Sequence, residues 1–216
     1  MEATTDILSP SDRDRFLEAV VVLCVENGAE AVTLEALADR SGLSEARFAE
    51  IFGEQAGIEE CMLAAETAIV GDVISTISAT YAADRYEWDS GLQRMLAVLE
   101  LLAANPSKAY FGQITARIAG PELREAEAGT RRVLASVVDR LRSSAPECTA
   151  PAGTASAVIG GASALIRVEI AAGRAEELPQ LLPGIVYSVT VAYLGQELAL
   201  ALSKRARALL AGTAWG

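Results

Sequence analysis

Apolar residues recur at intervals of three and four along most of this 216-residue chain, and no useful stretch alternates with period two. That pattern predicts an all-α protein. The first amphipathic segment starts at Ser9-Pro10-Ser11-Asp12, where a capping serine, a proline and acids suit a helix N-terminus. It runs to about Glu26, burying Phe16, Leu17, Val20, Val21, Leu23 and Cys24, and Asn27-Gly28 ends it. Two short helices follow within 33–52. Thr33 caps the first, which carries Leu34, Leu37 and Ala38 on one face, and Gly42 stops it. Ser44 caps the second, with Phe48, Ile51 and Phe52 inward.

Gly53-Glu54-Gln55-Ala56-Gly57 breaks the pattern before a long helix striped by Ile58, Met62, Ala65, Ile69, Val73, Ile77 and Tyr81. A fifth helix starts near Asp89 and carries Leu92, Met95, Leu96, Leu99 and Leu102, ending before Asn105-Pro106. A short helix with Phe111, Ile114 and Ile118 runs to Gly120-Pro121. The next, from Pro121 to about Arg142, turns Leu123, Val133, Leu134, Val137 and Leu141 inward. Residues 143–153 read as a flexible loop. Residues 155–166 carry no charge, and a second highly apolar helix spans about Leu178 to Leu209. Helices apolar on most sides must be buried on most sides, and a four-helix interface between two copies of the chain accomplishes that.

The pair at 33–52 has the proportions of a helix-turn-helix, with Ala38 and Gly42 allowing close crossing and the second helix shaped for a DNA major groove. In that geometry Glu45, Ala46, Arg47, Ala49 and Glu50 face the bases. Arg47 suits guanine, and a glutamate suits a cytosine amine. Thr33, Ser44 and Arg40 are the candidate phosphate contacts.

Composition narrows the classes. Hydrophobic residues make up 51% and aromatics 5%, which favours helices packed through small aliphatic side chains. The chain has no histidine, and Cys24, Cys61 and Cys148 are widely spaced without a CxxC pair, so no metal site, cofactor or histidine-based catalytic group is expected. The start of the sequence, MEATTDILSP, has no signal-peptide pattern. The charge-free segment Leu178–Gln196 holds two prolines and several polar residues without basic flanks, which favours an interface helix over a membrane span. A cytoplasmic, non-enzymatic protein is expected.

The charge is uneven. Of the net −11, residues 1–65 hold 14 acids against 4 arginines and no lysine. A dimer would carry that field toward a polyanion, where affinity comes mainly from Lys and Arg neutralising phosphates.

The helix-turn-helix, the preceding ENGAEAVTLEALADRSGLS and the terminal LPQLLPGIVYSVTVAYLG together resemble the tetracycline-repressor (TetR) family of bacterial one-component regulators. The resemblance implies a three-helix DNA-binding domain over residues 1–57. It also implies a larger helical effector-binding and dimerisation domain over residues 58–216, with the homodimer formed through the last two helices. It further implies an operator in double-stranded DNA and a small, largely apolar effector. Met95, Leu99, Phe111, Ile114, Ile118, Leu165 and Tyr187 are the candidate lining of its cavity, each with plain core packing as the alternative. Arg167 and Glu169 interrupt an apolar helix and are candidates to orient a polar ligand group or to form a salt bridge. Relatives usually carry a tyrosine where this chain has Ala49 and a lysine near Gln55, both touching phosphate. Those departures keep a second reading open, a TetR-like ligand sensor or partner protein without DNA affinity. An enzyme on the same scaffold is a third.

Overall fold

The computed structural model describes residues 11–79, 87–139 and 150–212. Among them every regular element is helical: α1 (Asp12–Asn27), α2 (Leu34–Ser41), α3 (Glu45–Phe52), α4 (Ile58–Ala79), α5 (Glu87–Ala104), α6 (Pro106–Gln113), α7 (Pro121–Asp139), α8 (Thr154–Ala171) and α9 (Leu182–Leu210). Short 3-10 turns occupy Ala29–Ala31, Thr115–Arg117 and Ala175–Leu181. Ser9, Pro10, Tyr81, Leu141 and most of the expected 143–153 loop lie outside the described residues.

Local chemistry sets the first boundaries. Ser11 caps α1 in a reciprocal box, its Oγ accepting from the Asp14 amide while the Asp14 carboxylate accepts from the Ser11 amide. Thr33 and Ser44 cap α2 and α3 as their positions predicted. Gly42 sits at φ 67°, the left-handed geometry that ends α2.

Two apolar clusters organise the chain. The first joins Phe16, Val20 and Cys24 of α1, Leu37 of α2, Phe48 of α3 and Cys61, Met62, Ala65 and Ile69 of α4. Phe111, Ala116 and Leu123 complete it, so this core crosses the break at Gly53–Gly57. Phe16 meets Phe48 edge-on at 5.3 Å and Phe48 stacks on Phe52 at 4.6 Å, which fixes α3 against α1. The second cluster gathers Leu92, Leu99 and Leu102 of α5 with Leu178, Leu182, Ile185, Val186, Val189, Leu202 and Ala206.

Three details depart from the sequence-based expectation. The last helix is not one rod. Gly195 breaks it with φ 76° and ψ 170°, and Ser203 Oγ donates to the Pro183 carbonyl at 2.9 Å. Twenty residues of straight helix would separate those groups by about 30 Å; the chain therefore doubles back at Gly195. Val133 points outward rather than into the core. The helix carrying Phe111 stops at Gln113, so Ile114 and Ile118 lie beyond its end. By length and composition, Ile58–Ala79, Thr154–Ala171 and Ala175–Leu210 could each cross a membrane, although the last is interrupted by that reversal.

Candidate nucleic-acid interface and effector region

The outward face of α3 presents Glu45, Ala46, Arg47 and Glu50 to solvent, with Ala49 half-buried behind them. Opposite them Phe48 is buried and Ile51 and Phe52 are partly so, which is the packing that aims the polar face outward. Thr33 Oγ1 accepts from the Ala36 amide and Ser44 Oγ from the Arg47 amide, each at 3.1 Å. Each hydroxyl keeps its own proton for a phosphate oxygen.

Every arginine of this region is engaged inside the protein. Arg47 Nε donates to Asp12 Oδ2 at 2.8 Å and its Nη1 to Glu50 Oε2 at 2.6 Å. Those two carboxylates, Glu50 first and then Asp12, hold the guanidinium above its ordinary pKa. Arg40 pairs with Glu26 at 2.5 Å. Arg15 Nη2 donates to the Ser41 carbonyl at 2.7 Å, pinning the turn between α2 and α3 to α1. Arg13 lies 5.9 Å from the centre of the Phe52 ring. Sequence reasoning named Arg47 and Arg40 but missed Asp12 and Glu26 as their partners, because these stand far away in the chain. Glu50, three positions from Arg47 on one helix, was within reach of a spacing argument.

The pairing has a geometric consequence. A guanidinium reads guanine through two parallel N–H groups, along either its Nε–Nη2 or its Nη1–Nη2 edge. Asp12 occupies the single N–H of Nε and so closes the Nε–Nη2 edge, while Glu50 takes one of the two N–H groups of Nη1, so both carboxylates compete with a base for Arg47.

The seven residues expected to line an effector cavity are dispersed. Leu99 is buried in the second cluster, with Met95 and Ile114 packed against it. Phe111 is fully buried in the first cluster. Tyr187 is half-buried, while Leu165 is exposed and Ile118 is 74% exposed. A cleft of about 380 Å3 lies between the end of α7 and the start of α8, lined by Ala135, Ser136, Asp139, Gly153 and Ser156 among others and by none of the seven. Of the two interrupting charges on α8, Glu169 pairs with Arg174 at 2.6 Å. Arg167 Nη1 is buried without a partner.

A buried polar group absent from the expectations is Glu66 on α4, 4% exposed among the apolar stripe. Burial first, and the neighbouring Glu127 second, push its carboxyl up to about 7. Burial likewise raises Cys24 to about 11 and Cys61 to about 12. No group of three or more Cys, Asp or Glu among the described residues is arranged to hold a metal ion.

No family model matches the chain, and no curated protein matches its sequence. Solved structures do match its shape. The fatty acid degradation regulator FadR from Bacillus halodurans superposes with a TM-score of 0.71 at 14% identity, over 88% of this chain and 98% of its own. FadR from Bacillus subtilis, solved in complex with stearoyl-CoA, gives 0.68 at 15% identity, over 84% and 98%. A TetR-family transcriptional regulator from Bordetella parapertussis gives 0.64 at 16% identity, over 88% and 97%. The chain has the fold of the TetR-family transcriptional regulators.

Proposed function

We propose that this protein is a dimeric, ligand-responsive transcriptional regulator, acting as a repressor in the cytoplasm. Residues 1–57 form the DNA-binding unit, and residues 58–216 bind the effector and the second subunit. The observation that carries the reading is α3 itself, capped by Ser44, fixed by the phenylalanine trio and presenting Arg47 outward at the end of a helix-turn-helix. Pairing through α8 and α9 is supported by the apolar surface they leave uncovered in one chain: Leu165 and Val168 on α8, Leu198 and Leu200 on α9. The apolar acyl chain of the stearoyl-CoA bound by the Bacillus subtilis neighbour supports an effector with a large apolar part here, although that ligand also carries a polar, phosphorylated head. Binding would favour one arrangement of α4 against the DNA-binding unit and change the spacing of the two recognition helices.

Purified protein should bind a specific duplex from its own upstream region at low salt and lose that binding on Arg47→Ala. The internal engagement of all four arginines favours a second reading, a ligand sensor or partner protein without DNA affinity. Failure to distinguish upstream DNA from a scrambled duplex at low salt would select it.

A further inference from the structure

Five charged side chains gather where α4, α7, α8 and the Thr115–Arg117 turn meet. Glu127 of α7 is the hub. Its Oε1 accepts from Arg117 Nη1 at 2.8 Å and its Oε2 pairs with Arg131 Nη2 at 3.0 Å. Glu66 of α4 feels the Glu127 charge, and Arg167 of α8 feels Arg117, Glu127 and Arg131 together. Three buried atoms of this group have no partner: Glu66 Oε2, Arg131 Nε and Arg167 Nη1.

The imbalance defines what is missing. Three guanidiniums share one carboxylate, Glu127, because Glu66 is coupled to the group only through Glu127 and burial drives it toward its neutral form. Unsatisfied guanidinium N–H groups in a desolvated place are costly, and what satisfies them best is a negatively charged acceptor. Access is open from one side, because the Arg117 and Arg131 side chains remain 32% and 37% exposed.

We propose that this junction binds the oxyanion end of a small molecule, a carboxylate or a phosphate, with Arg167 Nη1 and Arg131 Nε as the principal donors and Glu127 holding the arginines in place. The site lies beside α4, the helix that continues from the DNA-binding unit, and is distinct from the apolar residues Met95, Leu99 and Ile114 of the second cluster. Binding itself does not depend on the regulatory reading; only its consequence for DNA does.

The test is calorimetric titration of the full chain near neutral pH and low ionic strength, with inorganic phosphate and octanoate as separate probes. One site per chain is expected for at least one probe, with a dissociation constant on the order of millimolar or tighter and at least about tenfold weaker binding in Arg167→Gln and in Arg131→Gln. Arg132→Gln, which removes an exposed partner of Glu125 on the same helix, should leave binding unchanged. Melting curves establish that each variant is folded. Mutual competition identifies one shared oxyanion site; binding of a single probe identifies its source as carboxylate or phosphate. Absence of binding by both probes, or binding that survives Arg167→Gln and Arg131→Gln, overturns the proposal. Oxyanion binding that leaves DNA affinity untouched overturns the regulatory role and leaves the site standing.

Discussion

Asp12, the first residue of α1, holds Nε of Arg47, the side chain on α3 best suited to read a base. The bond joins α1 to α3 and ties Arg47 to the protein's own surface. Replacing Asp12 with Asn removes the charge while keeping a similar shape. If α3 reads DNA, Asp12→Asn should raise affinity for the upstream duplex several-fold. The log–log salt slope should steepen by up to about 0.9 if one phosphate contact is gained. An unchanged binding isotherm across a salt series would show that the Asp12 contact does not restrain binding.

Glu66 makes stability depend on pH in the sense opposite to a salt-bridged carboxylate. Its folded value of about 7 stands above the ordinary 4.5, so the native state holds the proton more tightly than the unfolded chain. Its contribution is therefore fully present below pH 4.5, declines as pH rises through the interval, and is lost above 7. The charged group that acts on it is Glu127, which is itself paired with Arg117 and Arg131. The swing for this one group is on the order of 3 kcal/mol. Urea melts at about pH 5 and about pH 8 should show a smaller loss of stability on alkalinisation in Glu66→Gln than in the parent protein.

Val168 is 59% exposed on α8 in the single chain. If α8 packs against a second subunit as proposed, a charge placed there would be stranded in the interface. Val168→Glu should shift the sedimentation profile from dimer toward monomer, weakening association by at least about tenfold, without altering helical content. A dimer unaffected by this substitution would place the interface elsewhere.

Phe48 holds α3 to α1 through Phe16 and to Phe52 through stacking. Truncation to Ala should cost about 3–5 kcal/mol, read as a fall in the unfolding midpoint.

Cys24 and Cys61 are buried thiols raised to about 11 and 12. Alkylation at mildly alkaline pH should leave both intact in the native protein and modify both after denaturation, as mass spectrometry of the peptides would show.

The helix-turn-helix was legible because its determinants are local. Thr33, Gly42 and Ser44 act on amides or torsions within three residues of themselves. The reversal at Gly195 was not, because a helix apolar on most sides offers little polar face from which to read a change of direction. Glu66 could have been suspected: it sits four residues after Met62 and three before Ile69, inside the apolar stripe. The five-membered charged group was beyond reach, since Glu66, Arg117, Glu127 and Arg167 come from four separate elements. The dispersal of Phe111, Ile118 and Leu165 has the same origin: apolarity alone does not say which of two cores, or which surface, a residue joins.

The engagement of Arg13, Arg15, Arg40 and Arg47 within the fold bears on how such a protein would search a genome. Sliding and hopping along arbitrary DNA rest on loose, exchangeable contacts with phosphates. A reading head whose cations are already matched offers few of them, so its residence on random sequence would be brief. It would reach its site by collision from solution, trading speed of search for little loss to the vast excess of wrong sites.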